Sequence, residues 1–188
     1  REAKASMLKG DLLARPTYTF LHTIDEGNTA VCVVAEHDIF ACKVVQKTVS
    51  MLGMKDTVAA SEPELLKRIE HDCIVRVWEA QWEPEPRWAG LEAITFVTPY
   101  YEGESIYKAM SDGHRFGVGD VISVAERVLQ ALDHMHVAHG LLHRDVKPGN
   151  VMLDTKRKTA YLGDLGSAAY IEAATGGARG HVGSPLYL

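Results

Sequence analysis

The chain has 188 residues, 46% of them apolar, and a formal charge of −5 at pH 7. That length and apolar share suit one large domain or two small lobes around a true core, and the mild acidity argues against a nucleic-acid partner. Three cysteines, Cys32, Cys42 and Cys73, show no Cys-x-x-Cys spacing. A disulfide framework and a cysteine zinc site are therefore both unsupported, and the expected setting is reducing: intracellular, cytoplasmic or nuclear. No apolar run reaches the length of a membrane span, so no membrane partner is expected.

In chain order, residues 1–16 show no clear period and read as an N-terminal extension or a helix. Residues 17–24 alternate as a strand does, with Tyr18, Phe20, His22 and Ile24 on one side. Asp25-Glu26-Gly27-Asn28 is turn chemistry. Residues 30–35 and 38–46 are two further strand-like runs about the polar Glu36-His37. Residues 63–70 read as a helix with Leu65, Leu66 and Ile69 on one face. Residues 74–80 and 93–98 read as strands, and the segment 83–87 between them is a loop carrying Pro84 and Pro86. After Pro99 the pattern turns helical. A short helix at 105–110 and a polar loop at 111–119 precede the strongest helix, 120–136. There Val121, Val124, Val128, Leu132 and Met135 recur at three- and four-residue steps. Two short strands, 151–153 and 160–163, follow. The expected fold class is α+β: a β-rich half with one helix, then a helical half.

Two motifs carry the chemistry. Residues 143–150 read His-Arg-Asp-Val-Lys-Pro-Gly-Asn, and Asp164-Leu165-Gly166 comes fourteen residues later. Taken singly, an Asp in a polar loop is usually a turn or cap residue. Together the motifs offer Asp145 to orient a hydroxyl and accept its proton, and Asn150 and Asp164 to hold a cation through oxygen. The pair resembles the catalytic loop and metal-binding motif of eukaryotic-type protein kinases of the Ser/Thr type, and the resemblance runs over nearly the whole chain. Leu162-Gly163-Asp164-Leu165-Gly166 is in addition similar to the NIMA-related kinases over those five residues.

The resemblance implies a two-lobed fold: an N-lobe at 17–98, a hinge at 99–103 and a partial C-lobe at 104–188. Gly183-Ser184-Pro185-Leu186-Tyr187-Leu188 is similar to the stretch late in a kinase activation segment, so a truncated chain is expected, as it is from the opening Arg1. ATP and Mg²⁺ are the implied cofactors, with a protein substrate and a possible regulatory protein as partners. Lys147 would stabilise charge on the moving phosphoryl group. Lys43, in the run Phe40-Ala41-Cys42-Lys43, would hold the phosphates; its bland alternative is a solvated edge lysine. Glu62 is the expected partner of that lysine, because it shares a face with Leu65, Leu66 and Ile69, whereas Glu64 stands four residues before Arg68. Pro63 disfavours helical geometry at Glu62 and weakens that pairing.

The phosphate-covering loop lines up on Asp25, Gly27, Ala30 and Cys32, and keeps only the middle glycine, Gly27. Thr98 falls at the gatekeeper position, and Pro99 (carbonyl) and Tyr101 (N–H) would read adenine. Cys32, Ala41 and Met152 would sandwich the base. His143 would pack under the metal motif with Leu66, Val77 and Leu165, and Arg144 would meet an activation-loop phosphate. His134, His136, His139 and His143 invite a metal reading, but His134 and His136 cannot share a helical face and no acidic ligand set lies nearby, so metal binding by these histidines is not expected. Residues 176–183 lack hydroxyl side chains, and Thr175 lies nine residues before Ser184. That segment is expected to be mobile and independent of a phosphate. The degraded glycine loop keeps a pseudokinase, acting as a nucleotide-binding or scaffolding module, as the alternative; a small-molecule phosphotransferase is a third reading.

Overall fold

β-Branched alternation builds the first half. Strands β1 (Tyr18–Glu26), β2 (Ala30–His37) and β3 (Cys42–Ser50) follow in sequence. Strands β4 (Glu79–Pro84) and β5 (Glu92–Pro99) complete an antiparallel sheet of order β1-β2-β3-β5-β4. One short helix, α1 (Pro63–Leu66), lies between β3 and β4 among the described residues. The computed structural model describes residues 18–26, 30–50, 57–58, 63–84, 92–155 and 158–171. The extension at 1–16, Gly27, Glu62, Thr175 and Ser184 lie outside them.

The second half is helical with small hairpins. Helices α2 (Ile106–Ser111) and α3 (Val118–His139) precede β6 (Leu141–Leu142), β7 (Val151–Asp154), β8 (Thr159–Leu162) and β9 (Ala169–Tyr170). Strand β7 pairs with β8 and β6 with β9. The Ser105 hydroxyl caps α2 by accepting the Lys108 N–H at 3.2 Å. Gly140 ends α3 in the left-handed region, φ 63°, which glycine adopts without a Cβ penalty. The α+β class expected from the sequence holds.

Several element boundaries differ from the sequence expectation: β1 runs through Asp25 and Glu26, where a turn was expected, and β4 through Glu83 and Pro84, where a loop was expected. Residues 38–41 form a turn rather than the start of a strand. The buried His37 captures it: its Nδ1 accepts the N–H of Ile39 at 3.2 Å and of Phe40 at 3.4 Å, and its carbonyl accepts Ala41 N–H at 2.9 Å. Ile39 and Phe40, apolar enough to suggest a strand, are left exposed. Strand β3 therefore begins at Cys42 and runs on to Ser50. Helix α1 stops at Leu66 because the next bonds tighten to three-residue steps, Arg68 N–H to Leu65 O and Ile69 N–H to Leu66 O. Of residues 74–80 only Glu79 and Ala80 join the sheet. Ile74 instead bridges Leu162 in parallel, with Val75 N–H on Leu162 O and Leu162 N–H on Cys73 O, both at 2.8 Å.

That bridge stitches the halves, and one apolar core runs across it. Leu66, Ile69, Ile94 and Phe96 from the first half pack in the same cluster as Ala131, Met135, Leu141, Leu162 and Leu165 from the second. Burying each of the Leu, Ile, Phe and Met side chains among these contributes roughly 1.5–3 kcal/mol. Val124, Val128 and Leu132 lie against this core as the α3 stripe requires, while Val121, placed on that stripe by its spacing, is exposed.

The segment after β5 approaches β7 closely. The Leu153 N–H donates to Glu104 O at 2.7 Å, and a Cβ on Gly103 would overlap the Leu153 carbonyl. Gly103→Ala should therefore push β7 away and cost about 1–3 kcal/mol in urea unfolding. Gly119→Ala, at a helical position with nothing within 4 Å of its added Cβ, should leave the midpoint unchanged or slightly raised. Equal midpoints for the two variants would show that the Gly103 approach is not tight.

Candidate active site

The loop between β6 and β7 is held by one buried imidazole. His143 is 1% exposed, and its Nε2 lies 2.8 Å from the Gly163 carbonyl. Its Nδ1 accepts the Asp145 N–H at 3.2 Å. Only the neutral tautomer with hydrogen on Nε2 satisfies both bonds. Burial pulls the imidazole pKa below its ordinary value, and the Gly163 carbonyl, Asp164 and Asp145 only partly offset this. Leu66, Val77 and Leu165 are buried in the core cluster. One side chain thus fixes the spacing of the two motifs, since Gly163 directly precedes Asp164.

Around it the sequence-singled residues of the second half come together. Asp145 Oδ2 accepts from Lys147 Nζ at 2.7 Å and from Asn150 Nδ2 at 2.9 Å. Asn150 Nδ2 also bonds the Asp145 carbonyl at 2.7 Å. The 3-10 turn Pro148–Asn150 brings Asn150 back towards Asp145. Arg144, at φ 64°, donates Nε to the Ser167 carbonyl at 2.8 Å. Asp164 sits at φ 60° and ψ 67°, an uncommon backbone state for a non-glycine residue that aims its carboxylate at the sheet.

What Asp164 meets there is Lys47. The Nζ–Oδ2 distance is 2.5 Å, with both side chains partly buried. Burial opposes charge on both groups, yet each partner outweighs it: Lys47 is raised above its ordinary value and Asp164 is lowered. Lys43, the lysine that the sequence favoured, does not reach this place. It and Lys47 share a face of β3, but four residues separate them by roughly 13 Å. Lys43 is exposed, with Nζ 5.6 Å from the Tyr100 ring centre. The strand begins four residues later than its apolar pattern suggests, and the charged position shifts with it. Val44-Val45-Gln46-Lys47 has the same Val-x-x-Lys form as the kinase strand, and that was the available signal.

Ala41 shifts for the same reason. It lies in the turn before β3 at φ 47°, and Val45 is the residue opposite Thr98. Cys32 stands opposite both Lys47 and Asp25 in register and is half-buried; burial pushes its thiol pKa up, partly countered by Lys47. Pro99 pairs with Val44, and Tyr100 N–H bonds the Lys43 carbonyl. The Tyr101 ring stacks on Tyr161 at 4.9 Å. Met152 is half-buried on β7 and bridges Ser105. Glu64 is exposed, as expected, and pairs with Lys67 at 2.6 Å rather than with Arg68.

The oxygen donors fit a hard divalent cation. With Asn150 Nδ2 engaged on Asp145, its Oδ1 is the end left to accept a hydrogen bond or bind a cation. No cluster of three or more His, Cys, Asp or Glu side chains suited to a metal occurs among the described residues. Two protein oxygens completed by water and phosphate is how Mg²⁺ is usually held.

A protein kinase domain family model matches residues 18–188. The chain is 28% identical over 182 residues to the serine/threonine-protein kinase Nek2 of Mus musculus, covering 91% of this chain and 40% of that protein. It is 25% identical over 173 residues to a probable serine/threonine-protein kinase 2 of Plasmodium falciparum, covering 91% and 32%. It is 28% identical over 155 residues to the serine/threonine-protein kinase DCLK3 of Mus musculus, covering 79% and 18%. The chain thus spans well under half the length of these relatives.

The neutral His143 has a pH consequence. Because its folded pKa is lowered, its contribution is complete above the ordinary imidazole value and is lost as pH falls below about 6.5, where the unfolded chain binds the proton first. His143→Gln should be less stable than the parent at pH 7.5, and the gap should narrow by pH 5 in urea unfolding. A gap that widens on acidification would exclude a neutral His143.

Proposed function

The chain belongs to the protein kinase domain family, and we propose that its site transfers the γ-phosphoryl group of Mg-ATP to a serine or threonine hydroxyl of a protein. The observation that carries this is the charge arrangement: Asp145 held by Lys147 and Asn150, and Asp164 facing Lys47. Asp145 supports the proton-accepting role because its Oδ2 is positioned by two donors rather than left to rotate. Lys147, bonded to the same carboxylate, supports charge stabilisation on the transferred group.

Lys47 takes the phosphate-holding role expected of Lys43. Its bond to Asp164 joins a cation and an anion that both have partners in a nucleotide complex, phosphate oxygens for the lysine and Mg²⁺ for the carboxylate. Asn150 would be the second protein oxygen on that ion, which shields the phosphate charge. Cys32, Val45, Thr98 and Met152 would line the base, with the Pro99 carbonyl and Tyr101 N–H reading its edge. Gly27 and Glu62 keep the roles that the resemblance implies, covering the phosphates and steadying the lysine. Protein substrate, regulatory partner and intracellular setting follow from the same reading. No helix among the described residues is long and apolar enough to cross a membrane. One observation favours the pseudokinase alternative: Asp25, opposite Cys32, stands where phosphate charge would gather.

A transfer assay with labelled ATP and generic protein substrates tests the proposal. Lys47→Met should lower transfer about 100-fold or more, as loss of a preorganised charge partner does. Lys43→Met should stay within about threefold, well short of the smallest loss expected when an oriented catalytic group goes. The reverse order would restore Lys43 to the phosphates. Asp145→Asn should lower transfer by about 10²–10⁴ while nucleotide still raises the melting temperature. A parent protein that ATP stabilises but that transfers nothing identifies the pseudokinase.

A further inference from the structure

We propose that His134 and His139 form a binding site for a borderline divalent metal ion, zinc being the best match. The two residues lie five apart near the C-terminal end of α3, about 140° around an ideal helix, so their spacing gives no hint that they meet. They do meet. The Nε2 atoms are 3.3 Å apart, with ring centres at 5.0 Å and planes at 71°. Two imidazole nitrogens bound at 2.0–2.1 Å to a tetrahedral zinc ion stand about 3.3 Å from each other. A square arrangement would need them nearer, about 2.9 Å at the same bond length. His136, between them in sequence, is exposed and makes no part of the pair.

A third imidazole positions the site. His71, in the turn beyond α1, stacks on the His134 ring at 4.7 Å and 25°. Its own Nδ1 accepts the Cys73 N–H at 3.1 Å, which fixes its plane. Zinc takes unprotonated imidazole. The described residues bring no third protein ligand to the same point, so water or a donor from another molecule completes the coordination. Such a site holds its ion reversibly. It lies at the end of α3, directly before β6 and the loop of His143 and Asp145, on residues outside the nucleotide site.

The competing account of the same geometry is a simple hydrogen bond, one Nε2–H donating to the other nitrogen. Zinc titration of the full chain by calorimetry, in a non-chelating buffer, separates the two. We expect saturable uptake of zinc but not of Mg²⁺. His134→Gln and His139→Gln should each weaken uptake about tenfold or more, since even outer-shell changes cost 10–100-fold. His136→Gln should bind as the parent does. Imidazole NMR of the unmutated protein gives a readout that no variant can confound: zinc should shift the resonances of His134 and His139 ahead of other histidines. A parent that takes up no zinc overturns the proposal. So does uptake that survives both substitutions, as cysteine binding would, or zinc shifts that spare both rings.

Discussion

The Lys47–Asp164 ion pair is the interaction on which the rest of the site depends. It joins the sheet to a motif 117 residues further along the chain. Burial works against both charges, and each is held ionised by the other. A buried pair of this kind adds little net stability, because desolvation consumes much of the attraction. Its value lies in what each partner can exchange for the other. A lysine that leaves a carboxylate for phosphate, and a carboxylate that leaves a lysine for a cation, both stay neutralised throughout. In the proposed nucleotide complex the energetic cost of opening the pair would therefore be offset.

That exchange needs a fixed frame. The frame is made by the backbone bonds between residues 73–75 and Leu162, by the shared apolar core, and by His143. The imidazole fixes the catalytic loop against Gly163 while Asp164, one residue later, turns into the left-handed region. Position and charge are thus handled by different groups. Neutral, buried His143 and Asn150 set distances, and the partly exposed Lys47 and Lys147 supply charge. A frame of neutral bonds can hold its geometry while the ions around it change partners, whereas a frame of ion pairs would move with every change in charge.

Much of this was legible in the sequence. The order of elements, the α+β class, and the meeting of Asp145, Lys147 and Asn150 follow from local spacing, because a single loop carries all three. The β3 lysine was legible only in the Val-x-x-Lys form of Val44-Val45-Gln46-Lys47 and not in the strand pattern, for a reason specific to this chain. Lys43 and Lys47 share a face, and Lys43 has the apolar neighbours Cys42 and Val44 whereas Lys47 lies between Gln46 and Thr48, so alternation and flanking residues do not select Lys47. The choice is made by His37, whose ring binds two backbone N–H groups and delays the strand by four residues. Side-chain capture of backbone donors is a tertiary fact that periodicity does not encode. The same holds at α1, where the helix tightens after Leu66 although its apolar spacing continues.

The histidines make the general point from the other side. On sequence spacing, His134 and His136 stand on different faces of α3, and a shared ligand is excluded for that pair. The structure agrees, but it brings His139 to His134 instead, at the helix end where Gly140 turns the chain into β6. Helix ends break the periodicity on which such exclusions rest, because the last turn no longer has a following turn to hold it. Pattern arguments are therefore strongest in the middle of an element and weakest at its ends. In this chain the proposed chemistry sits at element ends: the left-handed Asp164 after β8, the loop between β6 and β7, and the last turn of α3. These are the places where backbone donors and acceptors are released from the ladders and become available to side chains, so the residues hardest to read from spacing are also the ones for which ligands are proposed.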